Sequence, residues 1–126
     1  LIRMSLLLLI LLFASGCAET NNESQSLSDF YSGDILFVDY LEITNGSTED
    51  KRAYHDVKQI QDWLTSIQDI SFIPASDQSK RDGFRYSVAL FEGDQQKLSF
   101  TTNSVGHKYF VTDPRLVEAI NVLFEK

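Results

Sequence analysis

Few side chains in this chain of 126 residues are suited to chemistry, and they stand far apart. Cys17 is the single thiol, so the chain cannot form an internal disulfide. His55 and His107 are the side chains that titrate near neutrality by default. Neither stands at ligand spacing from another histidine, a cysteine or a pair of carboxylates, so no metal site is expected. His55 reads as a solvated residue at a helix start, and His107 as a strand-edge residue after a turn. No serine sits in a Gly-x-Ser-x-Gly elbow, and Ser104 near His107 is turn composition. The six glycines are scattered singly, which excludes a glycine-rich phosphate loop. Asn45, Glu49 and Asp50 offer hard oxygen ligands, but their spacing does not fit a calcium loop. These patterns point to a protein without a cofactor and without an assembled active site. The alternative from another class is a small hydrolase working through His107 and Asp113.

The first sixteen residues carry a different kind of chemistry. Arg3 precedes the apolar run Leu6 to Phe13, and Ala14, Ser15 and Gly16 lead into Cys17. A charged start, a short apolar stretch and small residues at a cut form the layout of a secretory signal. The run is about half of the ~20 residues that a membrane-spanning helix needs. Ala14-Ser15-Gly16-Cys17 resembles the bacterial lipobox, with Ala14 where leucine is usual. That resemblance implies cleavage before Cys17 and lipid on its thiol. It places the protein at the extracytoplasmic face of the cell membrane. At ~0.8 kcal/mol per buried CH₂, two or more acyl chains give stable anchoring.

Loss of Arg3 with the leader leaves ten basic against eighteen acidic residues, a net charge of −8. Such a surface repels nucleic acid and anionic lipid headgroups, neither of which is therefore an expected ligand. Residues 17–28 read as the lipidated cysteine and a polar tether. An 11-residue coil from Ala18 to Ser28 would span roughly 18 Å between its ends. Residues 29–126 then form one domain with a single core.

Within that domain, Ile35 to Ile43 reads as a strand, ended by Asn45-Gly46-Ser47. A helix follows, with Val57, Ile60, Leu64 and Ile67 on one stripe and Asp56 with Gln59 as a capping box. Ser71 to Ile73 is a short strand stopped by Pro74, and residues 76–83 form a polar loop. Three strands then follow in a meander: Phe84 to Phe91, Lys97 to Thr101, and His107 to Val111. Asp113-Pro114 opens a last helix whose stripe is Leu116, Ile120, Leu123 and Phe124. The expected fold is α+β: one curved antiparallel sheet with two helices on one face, in the order β-α-β-β-β-β-α.

This order resembles the TATA-binding-protein-like fold, a likeness of architecture that carries no function. The lipobox, together with an amphipathic helix, a meander and a closing helix from Ile60 through Tyr86, Phe100 and Tyr109 to Leu123, resembles small lipoproteins of Gram-positive, spore-forming bacteria, the YhfM-like group. That second resemblance implies a cell-envelope setting.

The alternation predicts Tyr86, Val88, Leu90, Leu98, Phe100, Tyr109 and Val111 beneath the helices. The opposite, open face would then show Arg85, Phe91, Lys97, Lys108 and Phe110, with Tyr40 joining from the first strand. Basic and aromatic side chains on an acidic protein would make a platform for an envelope protein or an anionic ligand. A weak homodimer would use the same face. The other reading is an ordinary solvated sheet whose long side chains cover the aromatics.

Overall fold

Alternation in one strand sets the frame of the molecule. Tyr86, Val88 and Leu90 are buried along β3 (Tyr86–Glu92), while Ser87, Ala89 and Phe91 between them are only partly covered. The computed structural model describes residues 24–126. Their β3 lies between β1 (Tyr40–Asn45) and β4 (Gln95–Thr101), antiparallel to both. Outside β1 runs β2 (Lys51–Tyr54); beyond β4 come the two-residue strands β5 (Ser104–Val105) and β6 (Lys108–Tyr109). The order is β2-β1-β3-β4-β5-β6, one open antiparallel sheet.

Among the described residues three α-helices accompany the sheet: α1 (Leu27–Phe30), α2 (Val57–Ile67) and α3 (Pro114–Phe124). Ile60, Trp63, Leu64 and Ile67 of α2 and Leu116, Ile120, Leu123 and Phe124 of α3 join Leu41, Ile43, Val88, Leu90 and Phe100 in one core. Burying each large apolar side chain contributes about 1.5–3 kcal/mol. Hydrogen bonds fix α3 over the sheet: Tyr54 Oη donates to the Leu123 carbonyl at 2.6 Å and Tyr86 Oη to Asn121 at 2.8 Å. Trp63 Nε1 donates to the Ala119 carbonyl at 2.9 Å and ties α2 to α3.

Both long helices begin as their sequences require. The Asp56 carboxylate accepts from the Lys58 and Gln59 amides, and Asp113 accepts from the Arg115 amide with Pro114 next to it. Each such cap stabilises its helix by about 1 kcal/mol. Val57 lies outside the buried stripe and is exposed.

Beyond the short strand β5, which stands between two expected strands, four elements differ from the sequence expectation. Ile35–Phe37 is a single 3₁₀ turn capped by Asp34, so β1 starts only at Tyr40. β2 follows the first turn and was not foreseen, because only Tyr54 of its four residues is buried. Phe72 and Pro74 each form one isolated bridge, to Gln25 and to Phe110, in place of a strand over Ser71 to Ile73. Finally, the polar stretch before residue 29 is partly built into the domain. Gln25 pairs with Phe72, and Leu27 is 0% exposed in the core.

Gly46, in the β1–β2 turn, has a steric duty. A Cβ there would come within 1.7 Å of the Phe84 carbonyl oxygen, and its amide donates to the Arg85 carbonyl at 2.9 Å. The turn thereby seats the chain leading into β3.

Candidate functional site

The face of the sheet away from the long helices carries Glu42 and Thr44 of β1, Ala53 of β2, Ser87 and Ala89 of β3, and Ser99 of β4. Register pairs Glu42 with Ala53 and Ala89, and Ala89 with Ser99, so these side chains share one side. Ala53 and Ser99 are exposed there, and Glu42, Thr44, Ser87 and Ala89 are only partly covered. At the β1 end this flat floor rises into a cluster of rings. Tyr40 lies opposite Phe91 in the register, with ring centres 5.1 Å apart, and its other side meets the His55 ring at 4.8 Å.

Asp39, Gly93 and Asp94 complete the rim of an open depression around these three rings. Asp39 Oδ1 accepts from the Gly93 amide at 2.9 Å, which fixes the β3–β4 turn against the start of β1. Tyr40 Oη donates to Glu42 at 2.5 Å, and the second Glu42 oxygen meets Lys51 Nζ at 3.5 Å. That hydrogen bond, reinforced by desolvation and by the Glu42 charge, raises the Tyr40 pKa above its ordinary value. The depression therefore offers aromatic faces beneath carboxylates. Such a surface suits a cationic or aromatic side chain better than an anion.

The sequence-derived residues separate across the fold. Tyr40 and Phe91 are together on the open face. Arg85 is exposed but precedes β3, about 20 Å along the strand from Phe91 at ~3.3 Å per residue. A bulge leaves Lys97 as an extra residue between partners Leu98 and Gln96. Its ammonium turns to the Tyr31 ring, 5.8 Å away, and to Glu92 at 3.4 Å.

Lys108 and Phe110 correct the expectation most plainly. Phe110 is 2% exposed and packs edge-on against Phe30 and Phe72, both with centroids 5.5 Å or 5.6 Å from a neighbour in that triad. Lys108 is half-buried with its ammonium 5.7 Å from the Phe110 ring centre. Tyr109 and Val111, expected inside, take the opposite side. The positive patch foreseen on the open face is thus not assembled there.

His55 is exposed just before the α2 cap, as its sequence reading has it, and its ring nonetheless joins the cluster. Its place follows from β2: two residues beyond Ala53 on an extended chain, it returns to the open face. Without β2 that signal is invisible.

Elsewhere, Tyr31 is buried beside Glu92, which approaches the hydroxyl without closing a well-formed hydrogen bond. Burial first, and then the Glu92 carboxylate, push ionisation of Tyr31 well above the ordinary tyrosine range. His107 is exposed in the β5–β6 turn, while Asp113 is engaged by the Arg115 amide, Nε and terminal nitrogen. No hydrogen bond among the described residues joins His107 to Asp113. No three histidine, cysteine, aspartate or glutamate side chains among the described residues are grouped to hold a metal ion. Asn45 Oδ1 accepts from the Ser47 and Thr48 amides and so serves the turn. Cys17 lies outside the described residues.

Comparison with protein-family models, curated proteins and solved structures gives no match.

Proposed function

We propose that the chain is a lipoprotein anchored through Cys17 at the extracytoplasmic face of the cell membrane. In this reading it acts as a non-enzymatic binding module, and its open sheet face receives a segment of an envelope protein. The observation that carries the docking role is the Tyr40–His55–Phe91 cluster. Three rings gathered at the end of an uncovered sheet face offer apolar contact area where a solvated surface would place charge. The carboxylate rim favours a partner segment bearing lysine, arginine or aromatic side chains.

A photo-crosslinking residue at Phe91 is expected to trap a defined envelope protein in cells, and a second substitution, Tyr40→Ser, is expected to abolish the adduct. The same probe at Val122, exposed on α3, serves as the control. Equal adducts from both positions, or survival of the Phe91 adduct in the Tyr40→Ser background, would overturn the docking role. Catalytic turnover of an esterase, peptidase or glycosidase panel by the purified domain would overturn the non-enzymatic one. The anchor is tested separately: Cys17→Ser should lose labelling by a fatty-acid probe.

A further inference from the structure

The chain enters the fold at an edge. Gln25 exchanges both backbone hydrogen bonds with Phe72, at 3.2 and 2.6 Å, and Leu27 is then sealed in the core. On the other side of the same segment, Val111 donates to the Ile73 carbonyl at 2.7 Å and Ala75 to the Tyr109 carbonyl at 3.1 Å. Residues 73–75 thereby continue the sheet beyond β6, and Gln25 continues it once more. β2 lies at the opposite edge of the strand order, several strand spacings of ~4.8 Å away.

Two apolar side chains stand uncovered beside this entry. Ile73 is 54% and Val111 57% exposed, while Phe72 and Phe110 next to them fill the core. Tyr109 flanks the pair, with the Arg81 guanidinium 4.9 Å over its ring. An apolar pair bordered by a tyrosine and a long cationic side chain has the chemistry of a membrane–water interface. Lys80, Asp77 and Asp82 share the adjoining loop, so its charges balance. Attraction to anionic headgroups is therefore not what would hold this edge down.

Chain length supplies the constraint. From Cys17 to Ser24 the backbone extends at most about 25 Å, at 3.3–3.6 Å per residue. A domain of this size has a radius of gyration of about 13 Å, hence a diameter on the order of 33 Å. To turn the β2 edge to the bilayer, the chain would have to reach back past the whole domain. Its length does not allow that. A short linker also raises the effective concentration of a weak surface contact into the millimolar range, on the order of 1 mM or more.

We propose that the domain stands on the bilayer by its Gln25–Phe72 edge, with Ile73 and Val111 at the lipid interface. The ring cluster of Tyr40, His55 and Phe91, on the β2-β1-β3 side of the strand order, then lies toward the opposite edge of the sheet. This orientation rests on lipid attachment at Cys17 but not on the identity of any protein partner.

The test uses the full lipidated protein in vesicles of phosphatidylethanolamine and phosphatidylglycerol that carry a lipid-linked quencher. An environment-sensitive fluorophore is placed on Ile73→Cys, Val111→Cys or Ala53→Cys. Fluorescence is expected to be lost at positions 73 and 111 and retained at 53 of β2. Quenching at 53 as strong as at 111, or unquenched label at both 73 and 111, overturns the orientation. Mass spectrometry of the N-terminal peptide reads the anchor independently. If Cys17 carries no lipid, the anchor reading fails and takes the orientation with it; lipid present without quenching at 73 and 111 sinks the orientation alone.

Discussion

The two ends of the sheet are stabilised in different ways. Around β1, β3 and β4, strands of six or seven residues lie under α2 and α3, and the buried alternation repeats in β1 (Leu41, Ile43) and β3 (Tyr86, Val88, Leu90), which pair with each other. Beyond β4 the strands have two residues each. There the core is closed by Phe30, Phe72 and Phe110, which meet edge-on from a short helix, a loop and a strand end. A long strand holds its register by repetition, whereas a two-residue strand takes its phase from the side chains that meet it. The two ring contacts of Phe110, with Phe30 and Phe72, decide which way residues 108–111 face.

That contrast can be broken most sharply at Phe110. Phe110→Ala should cost about 3–5 kcal/mol in urea unfolding, while Val111→Ser should stay within about 0.5 kcal/mol. The reverse ranking would show that the end strands run in the opposite phase. Next in size is Leu27→Ala, expected to destabilise by about 2–5 kcal/mol because it removes a fully buried side chain supplied by the entering segment. A neutral result would return that segment to the tether. At the long-strand end, Gly46→Ala must displace the Phe84 carbonyl and should cost about 1–3 kcal/mol.

The smallest effect sharpens the comparison through pH. Asp113→Ala removes the α3 cap at about 1 kcal/mol. Side-chain hydrogen bonds from Arg115, then its backbone amide, hold the Asp113 carboxyl below the ordinary aspartate pKa. A depressed pKa in the folded state means that its stabilisation is present above the unfolded value, about 3.9, and fades as pH falls through the lower folded value. Asp113→Asn should flatten the acid limb of the stability curve in that window. An unchanged acid limb would show that the Arg115 contact adds nothing to folding.

Legibility from sequence followed the same division. The β3 alternation of Tyr86, Val88 and Leu90 and the stripes of α2 and α3 were plain, because each repeats its period several times. The α+β class and the single antiparallel sheet follow from those elements. His107 to Val111 offered apolar residues in both phases, Tyr109 and Val111 against Phe110, so alternation alone could not choose. The deciding neighbours were Phe30 and Phe72, placed by long-range packing. Lys97 was misplaced because a bulge between Leu90 and Phe91 shifts its side by one residue. Tyr40 and Phe91 fell together on the open face, but His55 could not join them without β2, whose Lys51-Arg52-Ala53-Tyr54 carries too little apolar pattern to read as a strand.

The position of α3 has a consequence for how the chain comes to fold. Tyr54, Trp63 and Tyr86 each send a hydrogen bond forward to the span between Ala119 and Leu123, the last element of the described fold. While a ribosome is still adding that span, these three polar groups have no acceptor and the β1–β3 face has lost half its roof. A nascent chain stopped before Asp113 therefore holds nearly all of the sheet in sequence but cannot close it. Such a chain is expected to stay loose and protease-sensitive until α3 is in place.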